Sequence, residues 1–240
     1  MHGWRDRTPI AFLSSERCLP SPAILGRRTV LFGLAALTAA GLATRVHAAD
    51  DLSAEMILND PAAPVGGNPK GDVTIVSFFD YNCPFCKRTI QPLKAVMASD
   101  GKIRHVYKDW PILAPTSVFG AKLALAAKYH GKYEKAHLAL MGIDGSRVPE
   151  ERMRQALQRA GFDMPQLEAE ANRRDAEITT LLKRNNAQAE GLGLQGTPTF
   201  LIGQFLVASP LDEAGFRQVV RMRGKPPDRP APRTSIQPIS

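Results

Sequence analysis

The chain has 240 residues, with 31 Lys or Arg against 23 Asp or Glu, a net charge of +8. The first 48 residues hold six arginines and two acids, which leaves 25 basic and 21 acidic side chains, a net of +4, for the rest. So mild a balance excludes the concentrated basic face of a nucleic-acid binder and reads as an ordinary solvated surface.

Residues 1–48 read as an export leader. Arg27 and Arg28 precede the apolar run Thr29 to Ala43, and Val46-His47-Ala48 offers a small-residue cleavage site. The paired arginines, the long polar lead-in and Arg45 point toward the twin-arginine route. The run falls short of the about 20 apolar residues of a spanning helix, although an uncleaved anchor is the alternative. Cleavage near Ala48 would deliver the protein to the periplasm and remove Cys18, leaving only Cys83 and Cys86. Two cysteines in an oxidising compartment usually pair. A loop of four residues gains little from closure, however, so the pair points to chemistry rather than stapling.

Residues 49–70 form a lead-in with a short helix over Leu52 to Leu58, and "PAAPVGGNPKG" reads as loop. Residues 73–79, "VTIVSFF", predict a strand buried on both faces. A helix starts at Pro84, and Pro92 inside its apolar pattern predicts a kink; the alternative ends it at Gln91. Ile103 to Trp110 reads as a second strand. Residues 115–190 carry apolar residues at helical spacing, with Pro149 and Gly161 bracketing one helix. Asp163 and Gln166 resemble a capping box for the next helix, and Gly191 ends the last. "TPTFLIG" and "QFLVA" flank Gly203-Gln204 as a hairpin. Ser209, Pro210 and Asp212 predict a serine-capped helix to Met222. Residues 223–240, with five prolines, read as disordered. No internal repeat is visible. The order predicts an α/β domain over residues 71–222, with βαβ and ββα units in one sheet and an α-helical insertion over about residues 115–190.

The stretch "DYNCPFCKR" carries the chemistry. With Cys83 at the helix cap and Pro84 in the first turn, unpaired N–H groups and the positive helix end favour a Cys83 thiolate. Ile90, Leu93 and Met97 continue from Cys86 at helical steps, which puts Cys86 on the buried face and Cys83 at the exposed tip. Cys83 is then the attacking sulfur and Cys86 the resolving one. Lys87 and Arg88 add nearby positive charge of modest effect. Thr197-Pro198, entering a strand, reads either as a plain turn or as a cis-proline loop that exposes backbone to an extended substrate.

"FFDYNCPFCKR", about 110 residues before "GTPTFLIG", resembles the DsbA-like thiol–disulfide oxidoreductases, which are thioredoxin folds with a helical insertion. "YKDWPILAPTS" and "GQFLVA" resemble further segments of that family, and the likeness spans about Asp60 to Met222. The resemblance implies a nucleophile matching Cys83, a resolving cysteine matching Cys86, a cis-proline matching Pro198 with Thr197 before it, and Pro84 and Phe85 within the substrate-binding surface. It implies no cofactor. Partners are thiols or disulfides of exported proteins and a membrane redox partner, DsbB-like or DsbD-like. Two positions depart from the family. Ser77 stands where many members carry a glutamate, and Phe85 where the strongest oxidants carry histidine; both imply a less oxidising pair.

Three readings follow. The first is a periplasmic oxidase that introduces disulfides. The second is a reductase or isomerase of the same fold, helped by Thr197, although the short lead-in offers no dimerisation segment. The third is a non-catalytic Cu(I) carrier using both thiolates. A structural zinc site wants four ligands, and His105, His130 and His137 read as packed or surface histidines.

Overall fold

Side-chain alternation along Val73–Phe79 (β2) sets the layers of the molecule, because successive residues point to opposite faces. The computed structural model describes residues 51–222 and the strand 236–238. The leader of residues 1–48 and the rest of the 223–240 tail lie outside the described residues. Val73 and Ile75 pack on one face with Leu93 and Val96 of Pro84–Asp100 (α2) and with Phe216 and Val219 of Glu213–Arg221 (α8). Val76 and Phe78 pack on the other, against Ile57 of Ala54–Asn59 (α1) and Ala189 of Asp175–Gly191 (α7). Burial on both sides explains the unbroken apolar run.

Among the described residues, six strands form one sheet. Val65–Gly67 (β1) lies antiparallel to Ile103–Asp109 (β3), which runs parallel to β2. On the other side of β2, Thr199–Ile202 (β4), Phe205–Val207 (β5) and Ile236–Pro238 (β6) follow, each antiparallel to its neighbour. The expected βαβ and ββα units are therefore joined in a single thioredoxin-like α/β sheet. Between β3 and β4 come four further helices before α7: Pro115–Lys128 (α3), Tyr133–Met141 (α4), Glu150–Arg159 (α5) and Met164–Arg173 (α6). Leu123, Leu140, Met153, Leu157, Leu167, Ile178 and Leu181 form their core, which is continuous with Phe79, Tyr81, Cys83 and Cys86. The cysteines thus sit at the seam between sheet and helical block.

Several local expectations change. The loop expected over 61–71 contains β1, where two glycines of three erase any apolar pattern. Pairing needs the second, since a Cβ on Gly67, at φ 68°, would stand 2.5 Å from the Ile103 carbonyl oxygen. Helix α2 runs through Pro92 to Asp100, so it does not end at Gln91. Asp163 caps α6, accepting the Gln166 N–H at 3.0 Å. Helix α7 includes Gly191 and is closed by Leu192, with Gly193 in the left-handed region at φ 67°. The last helix is capped by Asp212 rather than Ser209: its carboxylate accepts the Gly215 N–H at 2.8 Å, and Leu211 is drawn into the core. Within the tail expected to be disordered, Ile236–Pro238 pairs with β5.

The corrected cap is testable. Asp212→Ala should lower stability by about 1 kcal/mol in urea unfolding. Ser209→Ala should leave it unchanged or raise it slightly, because the Ser209 hydroxyl is buried with no hydrogen-bond partner. A larger loss at Ser209 than at Asp212 would restore the serine cap.

Candidate active site

Helix α2 begins at the cysteine pair. Cys83 is its cap residue in extended conformation, Pro84 fills the first helical position, and the Cys86 N–H donates to Cys83 Sγ at 3.3 Å. The first turn thus aims its orphan amides at this sulfur, where the helix dipole also favours negative charge. Cys83 Sγ lies 3.3 Å from the Thr197 carbonyl oxygen, across from the Thr197–Pro198 peptide bond, which is cis. Both cysteines are free thiols.

The two sulfurs differ sharply. Hydrogen bonding, first from the Cys86 thiol and then from Thr197 and the Cys86 and Phe85 backbone, outweighs burial and brings Cys83 down to about 6. Burial, followed by the neighbouring Cys83, pushes the Cys86 thiol well up. The expected exposure of Cys83 is corrected: the residue is only 2 % exposed, because the distant Thr197–Pro198 loop covers it. Pro84 and Phe85 form the open rim, with Phe85 48 % exposed and the Arg88 guanidinium 4.5 Å over its ring. Lys87 turns away and donates to the Gly145 carbonyl at 2.7 Å.

Two residues that sequence reasoning passed over hold the loop before the helix. The buried Asp80 carboxylate accepts N–H groups from Asn82 at 2.7 Å, Ile112 at 2.8 Å and Leu113 at 2.9 Å. Asn82 donates to Thr116 and Ser117 and accepts the Val148 N–H at 2.6 Å, tying the loop to the helical block. Their signal was available, since Asp and Asn beside a tight turn commonly bond their own backbone. Here the turn sits directly before the cysteines.

Below Cys86 lies a cavity of about 10 Å³, near the size of one water. Ser77, Phe79, Thr89, His105, His137 and Pro198 are among its walls. Ser77 Oγ and His105 Nε2 are 2.7 Å apart, and burial lowers His105 and His137 to about 3, so both are neutral at pH 7. His130 stands apart, 3.6 Å from Glu170. Among the described residues no group of three or more His, Cys, Asp or Glu is arranged to hold a metal ion.

A thiol pair starting a helix opposite a cis-proline, in a sheet of βαβ and ββα units, defines a thioredoxin-type redox site. Comparison with known proteins agrees. Residues 59–221 match the family model described as thioredoxin. A thioredoxin-like oxidoreductase from Silicibacter pomeroyi is 38 % identical with a TM-score of 0.68, over 72 % of this chain and 99 % of that one. The thiol–disulfide exchange protein alpha-DsbA2 from Wolbachia pipientis is 27 % identical with a TM-score of 0.65, over 75 % and 97 %. Among curated proteins, a Na(+)/H(+) antiporter NhaA 1 of Mycobacterium sp. (strain KMS) is 24 % identical over 155 residues. The chain spans about a quarter of the length of the curated relatives it matches first. The chain belongs to the thioredoxin family.

The thiolate can be titrated directly. Ultraviolet thiolate absorbance of the reduced protein should rise with a midpoint near 6, vanish at that midpoint in Cys83→Ser, and shift upward in Cys86→Ala, which removes the main hydrogen bond. The linkage sign is fixed: with the folded value depressed from 9.0 to about 6, the unfolded state holds the extra proton between them. Stability of the reduced form relative to the oxidised form should therefore rise with pH from about 6 to about 9 and fade below 6. A midpoint near 9.0 in the folded protein would remove the premise.

Proposed function

We propose that this protein is a periplasmic thiol oxidase that introduces disulfides into exported proteins. The observation that carries the reading is the inequivalence of the sulfurs, with Cys83 held as a thiolate and Cys86 as a buried thiol. Stabilising the thiolate stabilises the reduced enzyme, which makes its disulfide the stronger oxidant. A substrate thiolate attacks Cys83 Sγ, the Cys83–Cys86 bond breaks, and the electron pair leaves on Cys86, which takes a proton. The second substrate thiolate then attacks the substrate sulfur of the mixed disulfide and expels Cys83 as thiolate. Two electrons pass from substrate to enzyme, and a DsbB-like membrane oxidase would remove them.

Pro84 and Phe85 contribute an exposed rim for the substrate chain, and the Thr197–Pro198 backbone faces the reacting sulfur. The leader residues Arg27 to Ala48 support export. So does the likeness, at 26 % identity and TM-score 0.60, to a periplasmic thioredoxin-like protein from Salmonella enterica serovar Typhimurium. Reduction or isomerisation with a DsbD-like partner is the second reading. It is favoured by the cavity wall at Ser77 and the rim at Phe85, neither of which brings charge to the pair.

Acid quenching and alkylation in intact exporting cells separates the directions. The oxidase should be trapped mostly as the disulfide; a mostly reduced pool would transfer the assignment to the reductase or isomerase. In the same cells Cys86→Ala should accumulate mixed disulfides through Cys83, and Cys83→Ala none. The opposite pattern would reverse the two roles.

A further inference from the structure

A groove of about 480 Å³ opens beside the redox tip, between α2 and the end of α4 with the loop that follows it. Its α2 wall starts at Pro84 and takes in Lys87, Ile90, Gln91 and Lys94, which helical steps of three and four put on one face. A different face of α2 carries Cys86, Leu93 and Val96 into the core, which leaves this row at the surface. Leu138 and Met141 add apolar surface from α4, and Asp144 is the one acid among the described residues lining the groove. Thr197 and Pro198 do not line it, so the groove is distinct from the loop that covers Cys83.

The charge along this groove is one-sided. Lys87, Arg88 and Lys94 all line it, and among the described residues none of the three forms a salt bridge. Lys87 donates to the Gly145 carbonyl, Arg88 lies over the Phe85 ring, and Lys94 is exposed. Burial and then Arg152 lower Lys87, with Asp144 acting in the opposite sense, so a fourth cation stands close by. The surplus is local, because beyond the leader the whole chain carries 25 basic side chains against 21 acidic. Apolar surface from Ile90, Leu138 and Met141 lies among these cations. A chain of matching pattern would bury that surface and bring its carboxylates to the charges together.

We propose that this groove seats the stretch of a substrate protein on one side of its reactive cysteine, and that it selects stretches carrying acidic and apolar side chains. The inference rests on the thiol–disulfide exchange argued above. Helix α2 rises about 1.5 Å per residue, so Pro84 and Lys94 stand about 15 Å apart along it. An extended chain leaving Cys83 past Pro84 covers that length with about five residues. Acidic side chains within that reach meet Arg88, Lys87 and Lys94, and an apolar one rests on Ile90, Leu138 and Met141. Asp144, on the wall away from α2, disfavours an acid on its own side and so fixes where the chain lies. A stretch that is basic beside its cysteine is turned away by the same cations.

The test uses the reduced full chain and short peptides whose single cysteine is blocked as a pyridyl disulfide. The Cys83 thiolate attacks the peptide sulfur. The bond to the pyridyl sulfur breaks with its electron pair on the leaving group, which takes a proton as pyridinethione, and its absorbance gives the rate. A leucine with two glutamates, two glutamines or two lysines is placed either before or after the cysteine. On one of these sides the glutamate peptide should react about 3- to 10-fold faster than its glutamine counterpart, and the lysine peptide slower. About 1 M salt should remove the difference. In the double variant Arg88→Glu, Lys94→Glu the order should invert, with the lysine peptide ahead of the glutamate one. Peptides are compared within each protein, so a change in Cys83 reactivity common to all of them cancels. Equal rates for the three flanks would overturn the groove as a selector. So would a glutamate preference of equal size on both sides, or one unchanged in the double variant. Binding to phosphatidylglycerol vesicles that the double variant loses, with no peptide preference, would also overturn it and give the charges to a lipid surface. If the double variant fails to fold, the dependence on side in the wild type decides alone. Release of pyridinethione from no peptide at all would instead bring down the exchange reaction itself.

Discussion

The site depends on the hydrogen bonds that Cys86, through its thiol and its amide, makes to the Cys83 sulfur at the start of α2. A sulfur that is only 2 % exposed should resist ionisation, because burial penalises charge. The helix start reverses the sign: the Cys86 thiol one turn along hydrogen-bonds the sulfur, and Thr197 and the otherwise unpaired Cys86 and Phe85 amides add to it. That demands an unstrained entry into the helix. Pro84 gives up an N–H the first turn does not need, and Asp80 and Asn82 use their side chains to fix the preceding loop against 112–117 and 148. The sulfur's acidity is thus a property of the fold around it.

The strand period explains what lies underneath. On the α2 side of the sheet, β2 presents Val73, Ile75, Ser77 and Phe79 in turn, and β3 presents Ile103, His105, Tyr107 and Asp109 in register beside them. Toward the start of these strands the face is apolar and packs on α2 and α8. Toward their ends it becomes polar or aromatic, and there the roof changes from α8 to α4. Tyr133 and His137 descend from α4 onto Tyr107, with ring centroids 5.0 Å away in each case. The helical block between β3 and β4 therefore supplies a wall of the active site, and the cavity beneath Cys86 exists because that block closes it.

This division explains what the sequence made legible. β2, β3, α2 and the closing hairpin are read easily because each is a continuous run with its own local punctuation. The cysteine spacing and the cap at Cys83 belong to one helical turn, so the inequivalence of the sulfurs is also local. β1 hides behind Gly66 and Gly67, which pair well but carry no side-chain pattern. Ser209 looks a better cap than Asp212 until Leu211 is seen to need the core. The burial of Cys83 is imposed by Thr197, 114 residues away, so no window around Cys83 reports it. Tyr81, Asp109, Tyr133 and His137 are least legible. In sequence Asp109 is an ordinary polar residue ending a strand and His137 an ordinary helical histidine; only the docking of α4 on β3 makes them neighbours.

Burying so many polar side chains under one thiol is costly unless they stay neutral. The two histidines are held uncharged by burial, and Tyr81, Tyr107 and Tyr133 are pushed upward, so all five remain neutral across the physiological range. Negative charge is left with Cys83 above and Asp109 below, beside the Asp80 carboxylate that holds the loop before the helix. Cys86 lies between them, and like charge from Cys83 adds to the cost of desolvating its own thiolate. An electron pair on Cys86 is stable only when a proton or the other sulfur shares it. The geometry that makes Cys83 easy to ionise is thus the geometry that makes free Cys86 thiolate untenable, and one buried environment accounts for both halves of the pair.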